Sequence, residues 1–183
     1  MPKSKSHRVG TFSPEMALLG QLFRTPAHGY DLHRTVVTDL GQVWHLSQSQ
    51  AYSILHRLEA QGDVWVDEIP QEKLPPRQLL HMTDKGRERF LNWLEVPSAG
   101  GSTRAIRMEM VTRLYFLAQY FPEKIPLAFE QQQAETQKHI LRLEKSRAQL
   151  PSEQVYNRIS LDMRLKQLHT ALEWLDESRQ LFA

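Results

Sequence analysis

The sequence contains no cysteine, and this absence removes several functional classes at once. Without thiols the chain cannot form a disulfide framework, a thiolate zinc site or a cysteine nucleophile. Long apolar runs are also missing, so no segment has the ~18 uncharged apolar residues that a transmembrane helix needs. The basic residues near the N-terminus are not followed by the apolar run of a signal peptide. We therefore expect a cytoplasmic protein without a membrane partner.

A strong excess of either charge is missing as well, since 23 basic and 21 acidic residues give a formal net charge of +2. This balance excludes a domain that binds nucleic acid through bulk positive charge alone. Any nucleic-acid function must instead depend on where individual cations lie. The composition, with 40% hydrophobic and 24% charged residues, is typical of a globular protein.

Glycine is absent from the chain after Gly101, although the sequence has eight glycines in all. The turn-rich stretch 97–102 separates a glycine-punctuated half from a half with few helix breakers. We therefore predict two domains, an N-terminal one over residues 1–96 and a helical one over residues 102–183.

The N-terminal domain has the pattern of a winged helix-turn-helix. Apolar residues at helical spacing predict three helices, and the third begins at Ser47, which forms a capping box with Gln50. The hydrophobic period then changes to two over residues 64–67 and 77–82, which predicts a two-stranded wing before Thr83 caps a fourth helix. The predicted fold class is mostly α, with this domain followed by an all-helical dimerisation domain.

The third predicted helix carries the most informative surface. Its apolar residues share one face, so the opposite face presents short hydrogen-bonding side chains, which suit contacts with base edges in a major groove. Cations on the helix flank and wing would contact phosphates. A solvated polar face is the alternative for the helix, and a disordered tail is the alternative for a basic arm at Lys3, Lys5 and Arg8. The predicted DNA-binding residues are Gln48, Ser49, Gln50, Tyr52, Ser53, His56, Arg57, Lys73 and Arg77.

The last predicted helix has leucines at heptad spacing, which indicate a helical partner. We predict a homodimer on this seam, although the same seam could pack on the preceding helix, residues 129–150, of its own chain. Apolar residues near the domain junction suggest a pocket for an effector. The predicted dimer residues are Leu161, Leu165, Leu168, Leu172 and Leu175, and the predicted pocket residues are Trp93, Met108 and Tyr115.

Patterns that support catalysis or metal binding are missing. His28 and His33 are five residues apart, which does not place them on one helix face as metal ligands. Ser53 and His56 lie within helical reach of each other but lack a third, orienting acid. The sequence has no glycine-rich phosphate-binding loop. We therefore expect no enzyme activity, no metal and no cofactor.

Five segments resemble the PadR-type transcriptional regulators in their order and spacing. The resemblance implies a winged helix-turn-helix with a long helical dimerisation domain. It also implies a repressor that binds a near-palindromic DNA operator as a homodimer and responds to a small aromatic or phenolic molecule. A protein-interaction adaptor without an operator is the alternative, and it would not need an exposed third helix. The segments are LLGQL at 18–22, HGYDL at 28–32, LGQVW at 40–44, SQSQAYSIL at 47–55 and LHMTDKG at 80–86.

Overall fold

The structure is a computed structural model that describes residues 13–69, 77–98 and 101–182. The basic arm and the wing residue Lys73 lie outside the described residues. Within residues 13–69 and 77–98, the structure has four helices and three strands. Their bounds are α1 Glu15–Gln21, β1 Ala27–His28, α2 Gly29–Leu40, α3 Gln48–Ala60, β2 Val64–Ile69, β3 Arg77–Met82 and α4 Asp84–Glu95.

The strands form one antiparallel sheet in the order β1-β3-β2. β2 and β3 pair from Val64 opposite Met82 outward, which confirms the predicted wing strands. β1 was not predicted, and it pairs with β3 through Ala27 opposite Leu80. The His28 Nδ1 atom lies 2.8 Å from the carbonyl oxygen of Gln78 and fastens this short strand to the sheet.

Side-chain caps fix the starts of α3 and α4, as the sequence predicted. The Ser47 hydroxyl accepts from the Gln50 N–H, and the Gln50 amide oxygen accepts from the Ser47 N–H at 3.0 Å. The Thr83 hydroxyl accepts from the Gly86 N–H at 3.0 Å. These bonds satisfy amides that have no partner inside the helix.

The second half is helical throughout its regular elements. A π-helical turn, Ile106–Met110, joins two helices into one rod, and two long helices follow. Their bounds are α5 Thr103–Ala105, α6 Val111–Tyr120, α7 Ile125–Ala148 and α8 Val155–Arg179, with short 3₁₀ turns at Pro122–Lys124 and Gln180–Phe182. The mostly α fold class with an N-terminal winged helix-turn-helix is confirmed.

The two halves share one continuous buried cluster. Phe116 of α6 is fully buried and lies so close to Gly20 of α1 that a Cβ there would overlap its ring. The Trp44 indole N–H donates to the Thr112 hydroxyl at 2.8 Å across the same junction. α6 is therefore packed into the N-terminal half, and the division into domains at 96–102 stays a prediction.

A buried arginine forms hydrogen bonds with the segment that connects the two halves. The Arg113 guanidinium donates to the Trp93 carbonyl at 3.0 Å and to the Ser98 hydroxyl at 2.9 Å. The Ser98 N–H in turn donates to the Gln132 side-chain oxygen at 2.8 Å. Burial lowers the pKa of Arg113 to about 10, and the nearby Glu109 carboxylate offsets part of that effect. The connection after α4 is thus held from α6 and α7.

Candidate nucleic-acid interface

α3 buries one face and exposes the other, as its sequence pattern predicted. The four apolar residues of the buried face pack within the first half, where α3 contacts α1, α2 and β2. They are Ala51, Ile54, Leu55 and Leu58. This packing fixes the helix so that its polar face points to solvent.

The exposed face of α3 has short polar side chains. Gln48, Ser49, Ser53 and His56 are exposed, and the His56 Nδ1 atom lies 3.7 Å from a Glu59 carboxylate oxygen. All four side chains are short, and none of them is a long apolar chain. The face can therefore approach a polar surface closely and offer both donors and acceptors.

Tyr52 differs from its neighbours because it is half-buried. Its ring lies against Gly29 at the start of α2, where an added Cβ would be 3.0 Å from the ring. The ring thus contributes to the contact between α2 and α3. Only its exposed part is available to a ligand.

The side chains of Gln50 and Arg57 form contacts within the protein itself. The Gln50 side-chain oxygen accepts from both the amide and the hydroxyl of Ser47. The Arg57 Nε atom donates to a Glu15 carboxylate oxygen at 2.6 Å. Each of these contacts holds α3 in place, and the DNA contacts of Gln50 and Arg57 stay predictions.

The Arg57 contact belongs to a longer chain of ion pairs. Glu15 also accepts from Arg89 at 2.6 Å, and Arg89 pairs with the buried Asp63. Burial alone would lower the pKa of Arg89, but its hydrogen bonds to the two carboxylates raise that pKa above its ordinary value. The chain links α1, α3 and α4, which sets the orientation of α3.

The structure describes the two predicted wing cations to different extents. Lys73 lies outside the described residues. Arg77 begins β3 and its backbone is in register with Ile69, but its side chain lies outside the described part. Contacts of both residues with phosphates stay predictions.

Two exposed aromatic residues near α3 were not predicted as site residues. Tyr30, at the start of α2, is 53% exposed, and its ring lies 5.7 Å from the Arg34 guanidinium carbon. Trp65 of β2 stacks on His81 of β3 with the ring centres 4.0 Å apart. The sequence could have identified Tyr30 in the segment HGYDL. The spacing of the apolar residues of α2 places Tyr30 on the opposite, exposed face of the helix. The Trp65–His81 stack depends on strand register, which the sequence did not define.

The predicted effector residues make different contacts, and a pocket formed by them stays a prediction. Met108 lies at the edge of a groove beside α3. Trp93 packs under the Arg113 guanidinium, 4.9 Å from ring centre to carbon. The Tyr115 hydroxyl donates to Asp39 at 2.6 Å, and burial with that contact raises its pKa. The three side chains have three separate environments.

The predicted heptad seam of α8 packs on α7 of the same chain. Leu168 and Leu175 are fully buried there, and Leu161, Leu165 and Leu172 are half-buried. The sequence left this packing within one chain open as the alternative, and a dimer contact of the seam stays a prediction. The exposed apolar residues of α8 lie elsewhere, at Val155, Tyr156, Ile159 and Met163.

Two negative findings apply to residues 13–69, 77–98 and 101–182. That part of the chain has no group of three or more metal-ligating side chains. It also has no helix that is both long and apolar enough to cross a membrane.

Known proteins match both halves of the chain. The model of the "Transcriptional regulator PadR-like family" matches residues 18–92, and "Virulence activator alpha C-term" matches residues 106–183. The negative transcriptional regulator PadR of Bacillus subtilis (strain 168) is 26% identical over 102 residues. That alignment covers 56% of this chain and 55% of the relative, so the match spans about half the length of each.

Two solved structures illustrate the wider similarity. Bacillus subtilis PadR in complex with operator DNA is 21% identical, with 92% of this chain and 98% of that chain covered and a TM-score of 0.41. The Vibrio cholerae virulence activator AphA is 23% identical, with 90% and 95% covered and a TM-score of 0.40. The matched segments include α3, both wing strands and the predicted helical half. Residues 18–92 of the chain are therefore similar to the PadR-like family of transcriptional regulators, and residues 106–183 are similar to the C-terminal part of a virulence activator.

Proposed function

We propose that this protein is a cytoplasmic repressor that binds a near-palindromic operator as a homodimer and releases it when a small aromatic or phenolic molecule binds. The observation that carries the DNA part is the face of α3. It is exposed, it is free of bulky apolar side chains, and it is held in place by packing on its other face.

Base contacts are assigned to the first two turns of α3, because these enter the groove deepest in helix-turn-helix docking. Gln48, Ser49 and Ser53 are the proposed base-contacting residues, and the exposed edge of Tyr52 extends this row. Gln50 can still donate through its amide nitrogen, since its oxygen is occupied by the cap. His56, Lys73 and Arg77 are the proposed phosphate contacts.

Residues 102–183 supply the proposed dimer contact, and residues 1–96 supply the DNA-binding head. Since Leu168 and Leu175 are used inside the chain, the half-buried seam leucines contribute at most their exposed edges. The outward apolar residues of α8 extend the proposed interface: Tyr156 is 88% exposed, Ile159 60% and Met163 57%. Side chains of this kind on one helix suit a second copy of the same helix.

The proposed effector acts at the junction where α6 meets the N-terminal half. Trp93 and Tyr115 offer aromatic surface there, and Met108 lies on the α3 side of the same rod. A ligand can weaken operator binding only if it binds the non-operator conformation more tightly than the operator-bound one. Quenching of tryptophan fluorescence by phenolic acids, together with a loss of operator affinity, would support this role.

The DNA assignments are tested by salt titrations of binding to operator DNA and to a scrambled duplex. Gln48→Ala should cost roughly 1–3 kcal/mol on the operator and much less on the scrambled duplex, because only a base contact is sequence-specific. Lys73→Ala should weaken both duplexes alike and lower the salt slope by about one per protomer contact. Gln137→Ala, at an exposed position of α7, is the matched control.

Equal losses on both duplexes for the helix and wing variants would show that α3 does not recognise sequence. If no variant loses affinity, this face does not bind DNA, and a protein-interaction adaptor becomes the better description.

A further inference from the structure

The segment between α2 and α3, residues 41–47, helps to fix the position of α3, because it leads directly into that helix. Its start is bonded to α2, where the backbone N–H of Trp44 donates to the Leu40 carbonyl at 2.8 Å. Near its end, the His33 Nε2 atom lies 2.8 Å from the Leu46 carbonyl oxygen. The Trp44 side chain, between these two contacts, is buried in the core.

The Trp44 indole meets a buried threonine of the other half of the chain. Its N–H donates at 2.8 Å to the hydroxyl of Thr112, which is fully buried near the start of α6. The Thr112 hydroxyl in turn donates to the Met108 carbonyl at 2.7 Å. Met108 belongs to the π-helical turn Ile106–Met110, so a continuous chain of hydrogen bonds runs from the segment before α3 into the rod.

The chemistry of the three groups fixes the direction of both hydrogen bonds. An indole N–H can only donate, and a backbone carbonyl can only accept. A hydroxyl has one proton and two lone pairs, so the Thr112 hydroxyl satisfies both partners at once. Serine at this position could form the same two bonds. Valine has the shape of threonine but could form neither, and the buried Trp44 N–H would then lose its acceptor at a cost in free energy.

The rod that carries Thr112 is anchored on the N-terminal half. Two residues of its π-helical turn, Ile106 and Met110, are buried in the core that the two halves share. π-helical turns are rare, and they often occur at functional sites. Because Trp44 is bonded to this rod, the position of the segment before α3 depends on the position of the rod.

We propose that Thr112 is a positioning residue for base recognition by α3. The inference rests on the proposed DNA contact of α3. Base contacts need hydrogen-bonding groups at defined places in the DNA groove, whereas phosphate contacts carry no sequence information. By holding Trp44, the Thr112 hydroxyl keeps α3 in the orientation that base contacts require. Loss of this link lowers specificity and leaves the electrostatic part of DNA binding unchanged.

The test measures binding of the full-length protein to operator DNA and to a scrambled duplex, for Thr112→Val and for the conservative variant Thr112→Ser. Thr136→Val is the matched control. Thr136 on α7 is also buried, and its hydroxyl donates to the carbonyl of Gln132, one helical turn earlier, at 2.8 Å. Both valine variants should melt at a lower temperature than the wild type, because each loses a buried hydrogen bond.

The two threonines should differ in DNA binding. Thr112→Val should weaken operator binding by about fivefold or more, as expected when a base contact is disturbed. Its binding to the scrambled duplex and its salt slope should not change, since no cation is removed. Thr112→Ser should bind the operator within about twofold of the wild type, because it keeps both hydrogen bonds. Thr136→Val should bind both duplexes like the wild type.

Two further measurements examine the link from the side of Trp44. Exchange of its indole N–H with solvent, followed by NMR without DNA, should be slow in the wild type and in Thr112→Ser and faster in Thr112→Val. Trp44→Phe removes the donor while Thr112 keeps its bond to Met108, and it should weaken operator binding only. This variant decides the outcome if Thr112→Val does not fold.

The inference is wrong if Thr112→Val binds the operator as Thr136→Val does, if both duplexes are weakened alike, or if Thr112→Ser does not restore operator binding. It is also wrong if the exchange rate of the Trp44 N–H is the same in all variants. Failure of the proposed function is a distinguishable result. The wild-type protein itself would then not distinguish the operator from the scrambled duplex, and the inference would fail with it.

Discussion

α3 and α8 are both amphipathic helices with one leucine-containing buried face, but of the two only α8 exposes large apolar side chains. Both helices expose glutamine, serine and histidine, and α8 adds Val155, Tyr156, Ile159 and Met163. The two buried faces have the same role, because each packs its helix against the rest of the chain. On the proposed function, the partner of the exposed α3 face is a polar duplex and the partner of the exposed α8 face is an apolar protein surface.

The leucines of both buried faces should contribute similarly to the stability of the fold. Leu58→Ala in α3 and Leu168→Ala in α8 should each lower the free energy of unfolding by about 2–5 kcal/mol, because both side chains are fully buried. Urea denaturation measures this directly. Met163→Ala is the control, and we expect a change within about 0.5 kcal/mol for the isolated chain. A Leu168→Ala effect as small as the control would place the α8 leucines outside the core.

Substitutions on the exposed face of α8 should affect dimerisation. Ile159→Asp with Met163→Asp should raise the dissociation constant of the dimer at least tenfold, which is about 1.4 kcal/mol, because carboxylates would be buried in an apolar contact. Sedimentation equilibrium measures the constant, and circular dichroism checks that helix content is kept. His169→Asp, an exposed position on the flank of the same helix away from the row of Ile159 and Met163, is the matched control. A dimer that tolerates both changes would move the interface away from this face.

The helix cap gives a smaller effect that is confined to α3. Ser47→Ala removes the hydroxyl that accepts from the Gln50 N–H and should cost about 1 kcal/mol of stability. Operator binding should weaken as well, since the first turn carries the proposed base contacts. Ser53→Ala, at an exposed serine in the same helix that does not contact Ser47, keeps the cap and serves as the control in denaturation. Equal stability of the two variants would show that the cap contributes nothing.

The smallest expected effect is a pH response that belongs to the helical half. Burial lowers the pKa of His139 on α7, and the nearby Arg164 and Arg142 lower it further, while Glu135 acts in the opposite direction. The unfolded chain therefore takes up this proton first as pH falls through about 6.5, and the fold loses stability there. Denaturation of wild type and His139→Gln at pH 7.5 and 5.5 should show a weaker pH dependence in the variant. An identical dependence would exclude His139 as its source.

The features of α3 that could be predicted from sequence are local ones. The spacing of Ser47 and Gln50 defines the cap, and the period of the apolar residues defines the buried face. The ion pair of Arg57 with Glu15 could not be predicted in this way, because the two residues are brought together only by the packing of α1 on α3. β1 was missed for a related reason, since two residues show no period and their pairing partner lies in the distant β3.

The α8 seam shows another kind of limit. A heptad of leucines indicates that a helix packs against another helix, but the pattern is the same whether that helix comes from the same chain or from a second copy. Leu168 and Leu175 are already buried within the single chain, and the dimer contact of the other seam leucines stays a prediction. The exposed row at Tyr156, Ile159 and Met163 was not identified because its members are not leucines and lie beside the heptad.

Selection of bound sequences from a random DNA pool by the purified full-length protein tests the central claim most directly. If α3 recognises bases within a two-fold dimer, the pool should converge on a near-palindrome whose half-sites are about 10 bp apart, or a multiple of that distance. Gln48→Ala should relax the preference at specific positions of each half-site. A pool that stays random, or one that converges on the same sequence with the same strength for Gln48→Ala and wild type, would contradict the assignment of base recognition to this face.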